Sequence, residues 1–216
     1  WDPDQSEALG VVESRFGHFL SHVGEFDTAY FGSTAGEAVL MDPQQRLLLH
    51  QCNGPATQGR IPDAHFGVYV GISQFEYAVD VQTHGHFVAY AATGSAHSVA
   101  CGRLSYTYGL SGPCVSVDTA CSSALVASHL LRKGVSGDEC DQGVAAAVNL
   151  ALSRHTNVMF VRAGMLTRDG RCKTLDAAAD GYVRQEACGV IAVTNANNMS
   201  DDTLLAANKH INRVSM

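Results

Sequence analysis

The sequence predicts an α/β fold in which a mostly parallel core sheet is flanked by helices. From residue 41 onward, segments with strand patterning alternate with segments of helical patterning, as crossover-connected parallel strands require. The runs 67–72 and 143–150 are nearly continuous apolar stretches of the kind that a parallel sheet buries on both faces. Between them, residues 112–134, GPCVSVDTACSSALVASHLLRKG, read as strand, very tight turn and helix.

Residues 1–40 are expected to be irregular, pinned by Phe16, Phe19, Phe26, Tyr30 and Phe31. At Met41 the pattern sharpens. Asp42 suits an N-cap and Pro43 the first helical position, so 44–52 is predicted as a helix offering Leu47 and Leu48 to the core, with Asn53-Gly54-Pro55 as its stop. A strand over 67–72 and a helix over 95–106 follow, with Gly109 and Gly112 at the exit. The next strand, 114–118, places Val115 and Val117 on one face and is expected to be central in the sheet. In the helix behind it Ala124, Ala127 and Leu131 share a face, Arg132 and Lys133 sit at the negative end, and Gly134 is the expected terminator. The strand 143–150 is assigned to the same sheet. A helix over 153–163 takes Ser153 as N-cap and Gly164 as terminator, and the turns at Arg168-Asp169-Gly170 and Asp180-Gly181 lead to a strand over 189–193 that closes the sheet in an antiparallel pair.

Composition bounds the function. A chain of 216 residues with 46% hydrophobic content can bury a substantial core. Its net charge of −7, without a basic stripe, argues against nucleic acid as a partner. The longest apolar run, 144–152, is interrupted by Asn149 and falls short of the roughly twenty residues of a spanning helix, so no membrane span is expected. Seven cysteines without a C-x-x-C pair or a secretory leader fit free thiols in a reducing compartment, hence a cytoplasmic location. The opening on Trp1-Asp2-Pro3-Asp4 and the lack of a boundary at 208–216 suggest a stretch of a longer domain, cut at both ends.

Cys121 is the candidate nucleophile. Only Thr119 and Ala120 separate it from the strand, and so short a link of small residues presents it at the positive end of a helix, where N–H groups stabilise a thiolate and then an oxyanion. Cys52, Cys101, Cys114, Cys140, Cys172 and Cys188 lack that setting and are read as core packers. His84-Gly85-His86 lacks further ligands for a metal, His18 and His22 lack a third, and Asp176 with Asp180 reads as turn chemistry. Neither a G-x-S-x-G elbow nor a phosphate-binding G-x-x-x-x-G-K-[ST] loop occurs, and no metal or cofactor is implied. A nucleophilic cysteine normally works with a histidine, but the sequence does not choose among ten. His129 lies about 12 Å along the same helix, too far to serve, and is read as a packing residue.

The motifs FDTAYFG at 26–32, MDPQQRLLL at 41–49, GRLSYTYGLSGPCVSVDTACSSAL at 102–125, GDECD at 137–141 and RAGMLTRDGRCKTLDAAADGYVR at 162–184 resemble the β-ketoacyl synthase (ketosynthase) domain of type I polyketide synthases. The resemblance implies a thiolase-like layered fold, of which residues 1–216 make roughly the N-terminal half. It implies that Cys121, in the D-T-A-C-S-S signature, accepts an acyl chain as a thioester, with its N–H as half of an oxyanion hole. Phe160 matches a position lining the acyl pocket. The family extends the chain by decarboxylating a malonyl-type unit on an acyl carrier protein and condensing the carbanion with the cysteine-bound acyl group. The implied partners are therefore an acyl carrier protein, the rest of a synthase and a second copy, since in related enzymes the strand before the cysteine helps form a homodimer. The two family histidines that serve decarboxylation, one in His-Gly-Thr-Gly-Thr, have no counterpart among the ten here.

Two further departures keep a second reading open. The long family helix after MDPQQRLLL looks cut short by Asn53-Gly54-Pro55, and Arg-Gly-Glu-Gly is replaced by Arg184-Gln185-Glu186-Ala187. Those changes would suit a degenerate ketosynthase that acts as a dimerisation or acyl-binding scaffold, whereas the retained Cys121 favours the enzyme.

Overall fold

The computed structural model describes residues 16–57, 64–74, 76–83 and 89–195, and the His84-Gly85-His86 segment lies outside them. In chain order the elements are α1 (Ala35–Leu40), α2 (Pro43–Thr57), β1 (Phe66–Gly71), α3 (Glu76–Thr83), α4 (Ala89–Ser95), α5 (His97–Tyr108), β2 (Cys114–Val117), α6 (Ser123–Ser136), β3 (Gln142–Asn149), α7 (Arg154–Arg162) and β4 (Ala187–Thr194). The four strands form one sheet in the order β2-β1-β3-β4. β1 runs parallel to both β2 and β3, and β3 pairs antiparallel with β4. The mixed sheet with its antiparallel close agrees with the expectation. β2, however, is an edge strand of the described sheet rather than a central one.

Alternation along the strands sorts the core into two layers. Phe66, Val68 and Val70 of β1 and Val144, Ala146 and Val148 of β3 face α2 and α5, where Leu48, Leu49, Cys52, Cys101 and Leu104 complete one cluster. On the other face Tyr69 and Ala145 pack with Ala127, Leu131 and Val135 of α6. Burial on both sides is why β1 and β3 read as continuous apolar runs. The N-terminal aromatics behave only partly as anchors. Phe26 and Phe31 stack with centroids 5.0 Å apart and meet His50 edge-on, while Phe16, Phe19 and Tyr30 are largely exposed.

Two expected helix ends are corrected. α2 does not stop at Asn53 but continues through Pro55 to Thr57. Pro55 stands in the last turn, where the amide hydrogen bond it forfeits is a single one, and the buried Cys52 and Ala56 on either side hold the turn against the core. Gly134 does not terminate α6, which runs on to Ser136. Its role is close approach: a Cβ there would lie 2.5 Å from the Tyr69 hydroxyl. The helix α7 starts at its expected cap, with the Ser153 side chain accepting from the His155 N–H, and Gly164 follows it at φ 69°.

Candidate functional site around Cys121

The turn between β2 and α6 is built almost entirely from its own side chains. The Asp118 carboxylate accepts from the Ala120 N–H at 2.9 Å. Ser123 works in both directions, its Oγ accepting from the Thr119 N–H at 2.9 Å and donating to the Ala120 carbonyl at 2.7 Å. The Ser122 hydroxyl donates to the Thr119 carbonyl at 2.8 Å. Each local bond replaces a ladder or helix partner that so short a link denies the backbone. Ala120 takes φ 55°, a left-handed conformation that costs a residue with a Cβ on the order of 1 kcal/mol. That kink turns the chain outward at the next residue, and Cys121 is exposed and free.

The helix is pressed hard against the sheet at this point. A Cβ on Gly71, the last residue of β1, would come within 2.7–2.9 Å of the Ser123 backbone and the Ala124 nitrogen, so only glycine lets α6 begin there. Cys121 itself lies just ahead of the N-cap Ser122, at the positive end of α6 rather than inside the helix. Cys121 therefore precedes the first turn of a 14-residue helix, beside the positive end of its macrodipole.

The second expected site residue, Phe160, is half-buried on α7. Its ring lies 5.4 Å from the guanidinium carbon of Arg184, a cation–π contact. Arg184 is buried and paired through Nη2 with the Glu76 carboxylate, which is also buried. The other Glu76 oxygen accepts from the Ser153 N–H at 2.6 Å, so one carboxylate ties α3 to the start of α7 and to the segment before β4. Tyr182 feels the charges of both Arg184 and Cys121. Burial pushes its phenol above its ordinary value, Arg184 pulls it back, and Cys121 is close enough to push it further up. Glu76, Tyr182 and Arg184 were not found from sequence, because only the fold brings residues more than a hundred positions apart together.

The replaced segment at 184–187 is accommodated. The side chains of Gln185 and Ala187 are exposed. Glu186 accepts from the Leu20 N–H at 2.8 Å and the Ala151 N–H at 3.1 Å, and the Asn149 amide donates to the Gln185 carbonyl at 2.7 Å. Asp176 caps a turn through the Ala178 N–H at 2.8 Å, whereas Asp180 pairs with Lys173 at 2.8 Å. His129 is exposed rather than packed. Of the six cysteines read as core packers, Cys52, Cys101 and Cys140 are buried and Cys188 half-buried. Cys114 and Cys172 are exposed, Cys114 because β2 has no strand beyond it among the described residues. Among the described residues no group of three or more His, Cys, Asp or Glu is placed to hold a metal ion, and no helix is long and apolar enough to cross a membrane.

Comparison with known proteins places this geometry among relatives. Residues 1–198 match the family model described as beta-ketoacyl synthase, N-terminal domain. One of the phenolphthiocerol/phthiocerol polyketide synthase proteins of Mycobacterium tuberculosis is 41% identical over 199 residues, which is 89% of this chain and 11% of that protein. The polyketide synthase ThaG of Burkholderia thailandensis is 41% identical over 210 residues, 94% of this chain and 4% of that one. Among solved structures, an oxazolomycin ketosynthase domain of Streptomyces albus superposes with TM-score 0.80 at 30% identity, over 91% of this chain and 35% of its own. The ketosynthase from module 6 of the bacillaene synthase of Bacillus subtilis gives 0.81 at 31%, over 92% and 34%. The chain thus spans about a third of the solved ketosynthases and a small part of the synthases.

Proposed function

This chain belongs to the β-ketoacyl synthase family as a part of its N-terminal domain, and on that premise we propose that Cys121 is the residue that takes an acyl group in transfer from a carrier-bound thioester. The observation that carries the reading is the exposed Cys121 just before α6, in a turn shaped by the Asp118, Ser122 and Ser123 hydrogen bonds. The thiolate attacks the thioester carbonyl, the oxyanion that forms is stabilised by N–H groups at the helix start, and the carrier's thiolate leaves as the carbonyl re-forms. In the complete domain the acyl-cysteine would then meet a carbanion made by decarboxylating a malonyl-type unit. Carbon–carbon bond formation returns the Cys121 thiolate. Phe160, set against Arg184, would line the acyl chain's path. The partners are an acyl carrier protein with its phosphopantetheine-linked thioesters, the rest of the synthase and, across the open edge of β2, a second copy of the domain.

A scaffold role loses one of its two supports, since the α2 helix is continuous through Pro55. The test is to mix the purified chain with an acyl thioester and a malonyl-loaded carrier protein, following the mass of Cys121 and the release of carbon dioxide. Slow acylation without condensation is expected, because groups that stabilise a decarboxylating malonyl unit contribute on the order of a hundred- to ten-thousand-fold and the family's two histidine motifs are not in this sequence. Malonyl-dependent carbon dioxide above a Cys121→Ala control would show that these residues hold a condensing site; failure of Cys121 to acylate would leave the scaffold reading.

A further inference from the structure

Glu76 and Arg184 hold the helix that carries Phe160 at two places. Glu76 is the first residue of α3, and its side chain is 2% exposed. One of its oxygens accepts from the N–H of Ser153, the N-cap of α7, at 2.6 Å, and the other pairs with Arg184 Nη2. The Arg184 side chain, 8% exposed, lays its guanidinium over the Phe160 ring at 5.4 Å, and its Nη1 is buried with no hydrogen-bond acceptor among the described residues. Phe160 lies seven residues after Ser153, two turns along the helix. One carboxylate thus grips α7 at its start directly and, through Arg184, two turns later. On the reading that Phe160 lines the acyl path, we propose that the Glu76–Arg184 pair fixes the Phe160 ring and so sets the length of acyl chain that Cys121 accepts.

Apolar packing alone does not fix the ring. Of the nine residues of α7, Thr156 and Val158 are the buried ones, and Phe160 is half-buried. A helix held by so little buried apolar area keeps freedom to turn or slide, and two polar tethers two turns apart remove that freedom. A guanidinium suits the second tether because it is planar and stacks on an aromatic face, while its buried charge needs a carboxylate beside it. Glu76 supplies that charge, and the ring is the neighbour that the guanidinium has on its flat side. Small displacements of the ring matter, since one methylene in an apolar pocket changes acceptance by roughly tenfold or more. Glu76 and Arg184 are therefore positioning residues that act through Phe160.

The test offers the purified chain acetyl and decanoyl thioesters at equal concentration and reads the ratio of the two acyl masses on Cys121. Phe160→Ala, which takes the ring away, should raise the decanoyl-to-acetyl ratio by on the order of tenfold. Arg184→Lys keeps a cation for Glu76 but has no plane to stack, and should raise the same ratio by roughly threefold, as side chains coupled through one contact do. Glu76→Gln keeps an acceptor for the Ser153 N–H and should act in the same direction. In the Phe160→Ala background neither change should move the ratio further, a result that a merely structural role would not give. An unchanged ratio in Phe160→Ala would remove Phe160 from the acyl path and this inference with it. A shifted ratio in Phe160→Ala, with the parent's ratio in folded Arg184→Lys and Glu76→Gln or additive shifts in the double variants, would overturn the role of the pair alone. Loss of the fold in both single variants would assign the pair to folding and overturn it as well.

Discussion

Two helix beginnings face each other in this molecule as opposites. At the start of α2, Asp42 is 2% exposed and caps the Gln44 N–H at 2.8 Å. The Gln44 side chain reaches the Gln74 carbonyl and the Leu150 N–H, and Gln45 reaches Thr93, Ala96 and Arg103. At the start of α6 the polar side chains turn back on their own loop, and Cys121 is left exposed. The first end spends its donors on holding distant segments together. The second satisfies itself locally and keeps a free thiol exposed. A helix N-terminus can thus join distant segments or leave its own turn open to solvent according to what its flanking side chains reach, and the two sequences, MDPQQ and DTACSS, differ in just that reach.

The largest break in the comparison should come from Gly71→Ala. The new methyl would meet the Ser123 and Ala124 backbone below 3 Å, and backbone cannot swing aside as a side chain end can. A loss of about 2–3 kcal/mol is expected in denaturant unfolding, together with a marked fall in Cys121 acylation in protein that remains folded. A substitution to Ala at Gly36, which has open space around it, should do neither.

Asp42 gives the next effect, read against pH. Burial raises its carboxyl from 3.8 to about 6, opposed by its bonds to Gln44. The folded state therefore holds this proton more tightly than the unfolded chain. Its contribution is present below pH 4 and is lost as pH rises toward and past 6, by on the order of 2 kcal/mol. Asp42→Asn keeps an oxygen for the Gln44 N–H and removes the titration. Relative to the parent chain, its unfolding free energy should climb between pH 4 and pH 7; parallel pH curves would refute this account of the α2 start.

Ser123→Ala should be smaller, about 1 kcal/mol, as expected when one cap-like hydroxyl is deleted. The Thr119 N–H would lose its side-chain partner, while the Ala120 carbonyl would keep only the Ser123 backbone N–H at 3.1 Å. Because these bonds shape the turn rather than the core, the acylation rate of Cys121 should fall by more than the stability loss alone accounts for. A rate unchanged from the parent would show that the turn holds its shape without them.

Much of this contrast was legible in the sequence. Small residues between a β-branched strand and an apolar-periodic helix required the sharp turn at 119–121, and Asp42-Pro43 and Ser153 marked two helix starts. What local signals missed was decided by packing. Asn53-Gly54-Pro55 carries every mark of a stop, yet the buried Cys52 and Ala56 carry α2 past it. Gly134 looks like a terminator but serves the approach of Tyr69. The edge position of β2, and with it the exposure of Cys114, depends on which strands pair with it, which its own residues do not encode. Phe160 entered only through resemblance; its contact with Arg184, and the Glu76 carboxylate behind that, join α7, the segment before β4 and α3, and leave no local pattern.

Under the proposed function the α6 turn, and not mere exposure, selects Cys121 for acyl transfer. Three cysteines are exposed, Cys114, Cys121 and Cys172, so the chain carries its own controls. The direct measurement is to treat it with a limiting amount of an acyl thioester and locate the acyl group by peptide fragmentation, which separates Cys114 from Cys121. Acylation at Cys121 in large excess over both others is expected. Equal labelling of Cys114, Cys121 and Cys172 would contradict it.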